Sequence, residues 1–447
     1  MFKFNAIISI VLVALLGIAY TIDKPLNPDI NALAQDEKAT RVSHHENAYI
    51  HFLGIYCSPN KDPVTTGIRR LESYEKIRKN TPDIAGKVLR EEDERKFVKV
   101  RTKDINKELL NKGLSELVDI SEQDKKVIES MIENNQLLIN RYKQLYALPK
   151  YQNIASISIA EINPNIFMLL QVHRLVNAKI KLDIINEDFE NSLEELMAKI
   201  DFARRIFPYI ENVVNKMVFE LVIREDIDII DDLLNLKKHI GKNYLENLSH
   251  SIREFSKEEV SIQRILKKEF TRFKSAVDKV RREDSFSNYS LIEKMKYKIL
   301  FKPNRTLNNQ FRLLKEYATQ NEKRPFDFLT KNIEEKELSY FHIKFVLNPI
   351  GYFLDGLFIE HQYKRLASYL QTLEGFRRLV FFKLLARIHK FNKDGIEKEI
   401  QAYNKKLNKE YFAVKSINLS ENKKELYFEP FPLSKGRRNR VQFTLVD

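Results

Sequence analysis

Glycine and proline are scarce, at 11 and 13 of 447 residues, against averages of about 7% and 5%. Turn-rich β architectures and glycine-rich phosphate loops both draw on glycine's backbone freedom, so the shortage points to long helices. Cysteine occurs once, as Cys57. An internal disulfide is therefore excluded, and an oxidising compartment is permitted without contributing a staple. Short catalytic signatures are missing too: the chain has no GxSxG, P-loop, GxGxxG or HExxH. No local motif cradles a nucleotide or sets up zinc or serine chemistry, and no cofactor is expected.

What is present describes a folded body. Hydrophobic residues make up 43% and charged residues 31% of the chain, which disfavours general disorder. A chain of this size buries roughly 75% of its unfolded surface, enough for one large or two medium cores. The net charge of +14 suits an anionic partner such as phospholipid headgroups, acidic glycans or nucleic acid. Most lysine runs nevertheless sit beside Glu or Asp, as on an ordinary solvated surface. The absence of an aromatic-basic ribonucleoprotein signature, together with the location read next, removes nucleic acid from the expected partners.

Residues 1–22, MFKFNAIISIVLVALLGIAYTI, carry a charged start and then an apolar stretch from Ala6 to Tyr20. That is the layout of a secretory signal, with Gly17 and Ala19 at the small-residue positions for cleavage. Uncleaved, Phe4 to Ile22 is long enough to cross a thin bilayer as a single transmembrane anchor. Either way the body is expected outside the cytosol: inner-membrane anchored, periplasmic or secreted. A bacterial source is assumed from the Lys, Asn and Ile richness.

The domain reading follows the chain. Residues 1–22 are the signal or anchor, 23–60 a polar spacer and entry segment, 61–410 a helical body, and 411–447 a small β element. Asp62-Pro63 and Thr66-Gly67 read as punctuation before a helix at about 64–80, and 83–104 as a charged, solvent-facing stretch. Ser121 with Asp124 reads as the cap of a helix whose face is Ile128, Met131, Leu138, Tyr142 and Leu145. Ser256 with Glu259 reads as the cap of a second long helix, striped by Ile262, Leu266, Phe270, Phe273, Val277 and Val280. Further helices are expected at about 165–185, 189–206, 209–222, 225–238, 241–254, 290–300, 306–320, 326–338, 350–371, 374–391 and 394–408. Alternation of apolar and polar residues predicts strands at 411–417, 425–429 and 440–446. The expected fold is mainly α: an irregular helical bundle or hairpin array with a small C-terminal antiparallel sheet.

The run AKIKLDIINEDFENSLEELMAKIDFA (178–203) joins two amphipathic segments through a short acidic turn and an aromatic residue. It resembles a tetratricopeptide helical hairpin. Asn186-Glu187 stands where that family usually has glycine, Ser192 stands where it has a small Ala, and no second copy follows at its period. The resemblance implies a helical-hairpin, partner-binding style of architecture for this segment.

For metal chemistry the best segment is HHENAYIH, where His44, His45, Glu46 and His51 gather. On a helix His44 and His51 share a face, and on a strand His45 and His51 do. Zinc needs three or four convergent ligands, so these histidines are candidates only, and the alternative is a polar approach to the apolar HFLGIYC. Cys57 reads as a small buried hydrophobe. The acidic pairs Glu194-Glu195, Asp231-Asp232 and Glu334-Glu335 read as helix surface, as do Glu246 and His250. For binding, Arg377, Arg378, Lys383 and Arg387 form a basic amphipathic helix of the kind that lies on anionic lipid or docks a partner. The competing reading is a core helix with cations at its rim. Lys435, Arg437, Arg438 and Arg440 form a cationic turn suited to phosphate or headgroups. Lys302-Pro303 and Asn348-Pro349 read as helix entries. The expected function is a non-catalytic scaffold or binding protein, for another envelope protein or an anionic envelope surface. An extracytoplasmic hydrolase is the alternative. A lipid-binding factor with a cavity lined by Phe345, Phe353, Leu357 and Phe381 is a third.

Overall fold

Asp62 and Pro63 show how the chain starts a helix. The Asp62 carboxylate accepts the Thr65 N–H at 2.7 Å, and Pro63 takes the first helical position, where no N–H is needed. The computed structural model describes residues 23–35, 42–80, 107–156, 161–186, 188–236, 240–281, 290, 301–323, 325–330, 348, 360–391, 395–407, 412–414, 416–422, 424–429, 431 and 439–442. These residues form seventeen helices and one three-stranded antiparallel sheet, so the chain is mainly α. The segment 1–22, the stretch 83–104 and the expected helix 290–300 (apart from Ser290) lie outside the described residues. Among those described, no helix is long and apolar enough to cross a membrane.

After α1 (Pro28–Gln35) come α2 (Ala48–Gly54) and α3 (Pro63–Asn80), which pack on each other. Asn47 caps α2 by accepting the Tyr49 N–H at 3.1 Å. Gly67 is not punctuation but lies within α3, pressed on α2. A Cβ there would stand 2.1 Å from the Ile50 carbonyl oxygen, and one on Gly54 would stand 1.8 Å from that of Pro63. Only glycine allows this approach of backbones.

Short helices α4 (Lys107–Asn111) and α5 (Leu114–Val118) lead to α6 (Glu122–Asn134) and α7 (Gln136–Gln144). Ser121 caps α6 as expected, accepting the Asp124 N–H at 3.1 Å. The single helix expected to run through Leu145 is broken instead. Asn135 leaves helical geometry (ψ 14°) and its side chain donates to the Met131 carbonyl at 2.8 Å. That local bond competes with the helix ladder.

The centre is α8 (Ile166–Ile185), α9 (Phe189–Ile206) and α10 (Val213–Leu236). The short link between α8 and α9 makes an antiparallel hairpin, and α10 returns, so α8 and α10 start at the same end. The expected pair 209–222 and 225–238 is one helix. Asn212 opens it by accepting the Asn215 N–H at 3.1 Å. Its mid-helix charges are buried with partners, Arg224 on Glu220 and Asp226 beside Lys199, so they do not interrupt it.

Next come α11 (Lys242–Ser251), α12 (Lys257–Val260), α13 (Gln263–Arg281), α14 (Pro303–Lys323) and α15 (Pro325–Thr330). Ser256 and Glu259 do form a capping box, but on the one-turn α12. Ser261 is extended and breaks the helix, leaving Ile262 a buried joint rather than part of the stripe. Phe270 meets Phe311 where α13 packs on α14, with 5.5 Å between centroids.

The longest element, α16 (Glu360–His389), crosses α10, and α17 (Ile396–Lys406) follows. The break expected at 371–374 is absent. Gly375 lies mid-helix as the seat for Phe428, whose ring a Cβ would meet at 2.7 Å, so the sheet packs on α16. That sheet is β1 (Asn418–Leu419), β2 (Glu425–Tyr427) and β3 (Arg440–Gln442), with Leu426 opposite Leu419 and Val441. The strand expected at 411–417 is displaced to β1. Side chains have taken its backbone: the Ala413 N–H donates to Gln371, the Val414 carbonyl accepts from Arg378, and Asn404 bonds both polar groups of Ile417.

Candidate functional site

Four buried polar side chains meet between the central three helices. His173 and Asn177 stand one turn apart on α8, Lys199 comes from α9 and Asp226 from α10. His173, Lys199 and Asp226 are each 0% exposed. The Lys199 ammonium lies 2.9 Å from Asp226 Oδ1 and donates to Asn177 Oδ1. His173 Nε2 lies 3.0 Å from Asn177 Nδ2, 3.3 Å from Asp226 Oδ1 and 3.6 Å from Glu225 Oε2. On its other side His173 Nδ1 lies 3.1 Å from the Tyr142 hydroxyl of α7. Arg174 holds Glu225 with bonds of 2.7 and 2.9 Å at the partly exposed rim.

Asn177 orients the chain of bonds. Its oxygen is taken by Lys199, so its amide donates toward His173 Nε2. A neutral His173 then carries its proton on Nδ1 and donates to Tyr142, a tautomer assigned from the network. Burial drives His173 well below the usual imidazole range, and the Lys199 charge adds to that. Burial pushes Asp226 up to about 7, against the pull of Lys199. Burial and the Asp226 carboxylate raise the Tyr142 phenol. The cluster thus reverses solution order: a proton rests on a carboxyl while the neighbouring imidazole stays neutral. It has the parts for proton transfer, but at zero exposure no dissolved substrate touches it in this conformation.

The remaining buried cations tie elements together. Arg204 of α9 bonds Glu259 at 2.8 Å and the carbonyls of Ser251, Arg253 and Glu254, fixing the α11–α12 corner. Arg141 of α7 bonds the carbonyls of Ile55, Cys57, Ser58 and Lys61. Lys216 of α10 lies over the Phe207 ring, and burial lowers its ammonium to about 7.

The cationic face expected on 377–387 lies inside the protein. Arg377 and Arg378 are 1% and 0% exposed and share Glu374 at 2.7 and 2.6 Å. Burial alone would raise the Glu374 carboxyl, but the two guanidiniums hold it below its ordinary value. Lys383 is buried on Asp231 at 2.7 Å, so Asp231 is no helix-surface carboxylate, and half-buried Arg387 bonds the Leu234 carbonyl. These side chains join α16 to α10 and the 251–254 corner, and Arg377, Arg378 and Lys383 are buried away from any surface. Arg440 is exposed, pairs with Glu425 at 3.2 Å and stacks over Tyr427. Lys435, Arg437 and Arg438 lie outside the described residues, as do Phe345, Phe353 and Leu357. Phe381 is half-buried against Arg377 and Tyr403.

His44 and His45 are exposed on a 3-10 turn, whereas His51 is half-buried on α2 with Nε2 3.1 Å from the His45 carbonyl. Burial lowers the His51 imidazole. Among the described residues no group of three or more His, Cys, Asp or Glu is arranged to hold a metal ion. Cys57 is buried, its thiol donating to the Lys61 carbonyl at 3.0 Å. Sequence reasoning missed the His173–Asn177–Lys199–Asp226 cluster. The available signal was a His and an Asn one turn apart among the apolar residues of α8. Comparison with family models, curated proteins and solved structures finds no match to this chain.

Proposed function

We propose that the chain is a non-catalytic helical scaffold or binding protein of the cell envelope, exported or tethered through residues 1–22, whose partner is another protein or an anionic envelope surface. The observation that carries the binding reading is the end at which α8 and α10 begin. Phe167, Tyr209 and Val214 are 63%, 44% and 47% exposed there, and the Arg264 guanidinium stands 5.0 Å over the Tyr209 ring. Aromatic and apolar side chains beside an arginine suit a partner contact. The α8–α9 hairpin is of the kind that tetratricopeptide-like segments use for binding. In a capture experiment from envelope extracts, wild type retains a partner that a Phe167→Ser, Val214→Ser variant of unchanged thermal stability loses. Equal capture by the two overturns the reading.

A second reading, an extracytoplasmic hydrolase, is favoured by the Lys199–Asp226–His173–Tyr142 cluster. Turnover of ester or peptide substrates that Asp226→Asn abolishes, with the fold intact, would replace the first reading by this one.

A further inference from the structure

Residues 23–30 have the composition of a loose spacer, yet they are bound along α14. Asp23 straddles the start of that helix: one carboxylate oxygen accepts the Asn304 N–H at 2.8 Å and the other the Arg305 N–H at 3.0 Å. One turn further along, the Asn27 N–H donates to Asn308 at 2.9 Å while the Asn308 amide donates to the Pro25 carbonyl at 2.8 Å. Leu26 packs on the core, Ile30 is fully buried and Lys315 stands 3.4 Å from Asp29. A flexible tether would make none of these bonds. Asp23 directly follows the apolar run 4–22, and consecutive Cα atoms are about 3.8 Å apart. The point where that run meets the body is therefore fixed at the first turn of α14.

We propose that Asp23, Lys24 and the N-terminal end of α14 form the bilayer-facing surface of the body, with the C-terminal end of α14 turned away. The proposal rests on the anchored form of the reading above. Its partner is the headgroup layer of an anionic bilayer. An aspartate at that level would ordinarily be repelled, but the Asp23 charge is satisfied by two amides and the positive end of the helix dipole. Exposed Lys24 beside it has the sign that anionic headgroups attract. Glu322, near the far end of α14, stands 3.7 Å from Lys257 at the start of α12. The Arg264–Tyr209 end lies on that same side, so the apolar patch faces away from the bilayer, open to a protein.

The test uses the full chain in phosphatidylethanolamine–phosphatidylglycerol vesicles. A thiol-reactive fluorophore is placed at Asn309→Cys or at Lys323→Cys, two positions about 21 Å apart along the helix; buried Cys57 stays unlabelled. Headgroup spin-labelled lipid is the quencher. The expected result is protein that floats with the vesicles after a carbonate wash, with several-fold stronger quenching at position 309 than at 323. In an Asp23→Ala, Asn308→Ala variant that still floats, the contrast shrinks. Floated protein with equal or reversed quenching overturns the proposed orientation and leaves the anchor standing. Protein that no longer floats overturns the anchored reading and this proposal together.

Discussion

Transferring a proton between two buried groups on folding leaves a signature in the pH dependence of stability. Asp226 rises from 3.8 to about 7 in the folded protein, while His173 falls well below 6.5. Between about pH 4 and 6.5, wherever the folded imidazole is already neutral, the unfolded pair carries one proton, on the imidazole, and the folded pair also carries one, on the carboxyl. The pair therefore contributes no slope in that window. Removing either member unmasks the other. With Asp226→Asn, the folded state has lost a proton that the unfolded histidine keeps, so stability rises with pH toward 6.5. With His173→Gln, the folded state keeps a proton on Asp226 that the unfolded chain lacks, so stability falls as pH climbs toward 7. The Asp226→Asn difference from wild type is about 1.4 kcal/mol per pH unit, or about 2 kcal/mol between pH 4.5 and 6.0 at that slope, and the His173→Gln difference has the opposite sign. Urea unfolding of the three proteins at several pH values in that window measures it, because all other groups cancel in the difference. Slopes of the same sign would refute the assignment. A flat Asp226→Asn difference would show Asp226 ionised in the folded protein, held by Lys199.

Other expectations follow from the packing and the buried charges. Gly67→Ala forces α2 and α3 apart and costs about 1–3 kcal/mol or more, read as a lowered urea midpoint. Glu374→Ala strands two buried guanidiniums and costs about 3–5 kcal/mol, whereas Glu374→Gln, which keeps an acceptor, loses less. Lys216 titrates near 7 when folded rather than at 10.5. Stability should therefore rise by about 1.4 kcal/mol per pH unit between those values, a rise that Lys216→Met removes in alkaline thermal melts.

Helix positions were largely legible because an apolar stripe and a capping residue are local signals. Ser121 and Asp62 act where their sequence patterns place them, while the Ser256–Glu259 pair caps one turn instead of the long helix expected. What failed needed tertiary knowledge. Charges in 223–226 resemble a break in a helix until Lys199 and Glu220 are seen beside them. Segment 412–417 alternates like a strand but gives its backbone to Gln371, Arg378 and Asn404. Arg377, Arg378 and Lys383 have the spacing of a surface helix, and only the carboxylates of Glu374 and Asp231 reveal them as internal ties. The central cluster was hidden for the same reason. Its members come from three helices, and burial rather than spacing sets their protonation.

Whether the binding body is held outside the cytosol is read from its topology. The C-terminally tagged full chain, expressed in a bacterium, is followed through fractionation and protease treatment of spheroplasts. The expected result is a tag that is in the envelope fraction and degraded by protease added to sealed spheroplasts, or released into the periplasm or medium. Full-length protein in the cytosolic fraction, protected until the spheroplasts are lysed, would contradict it.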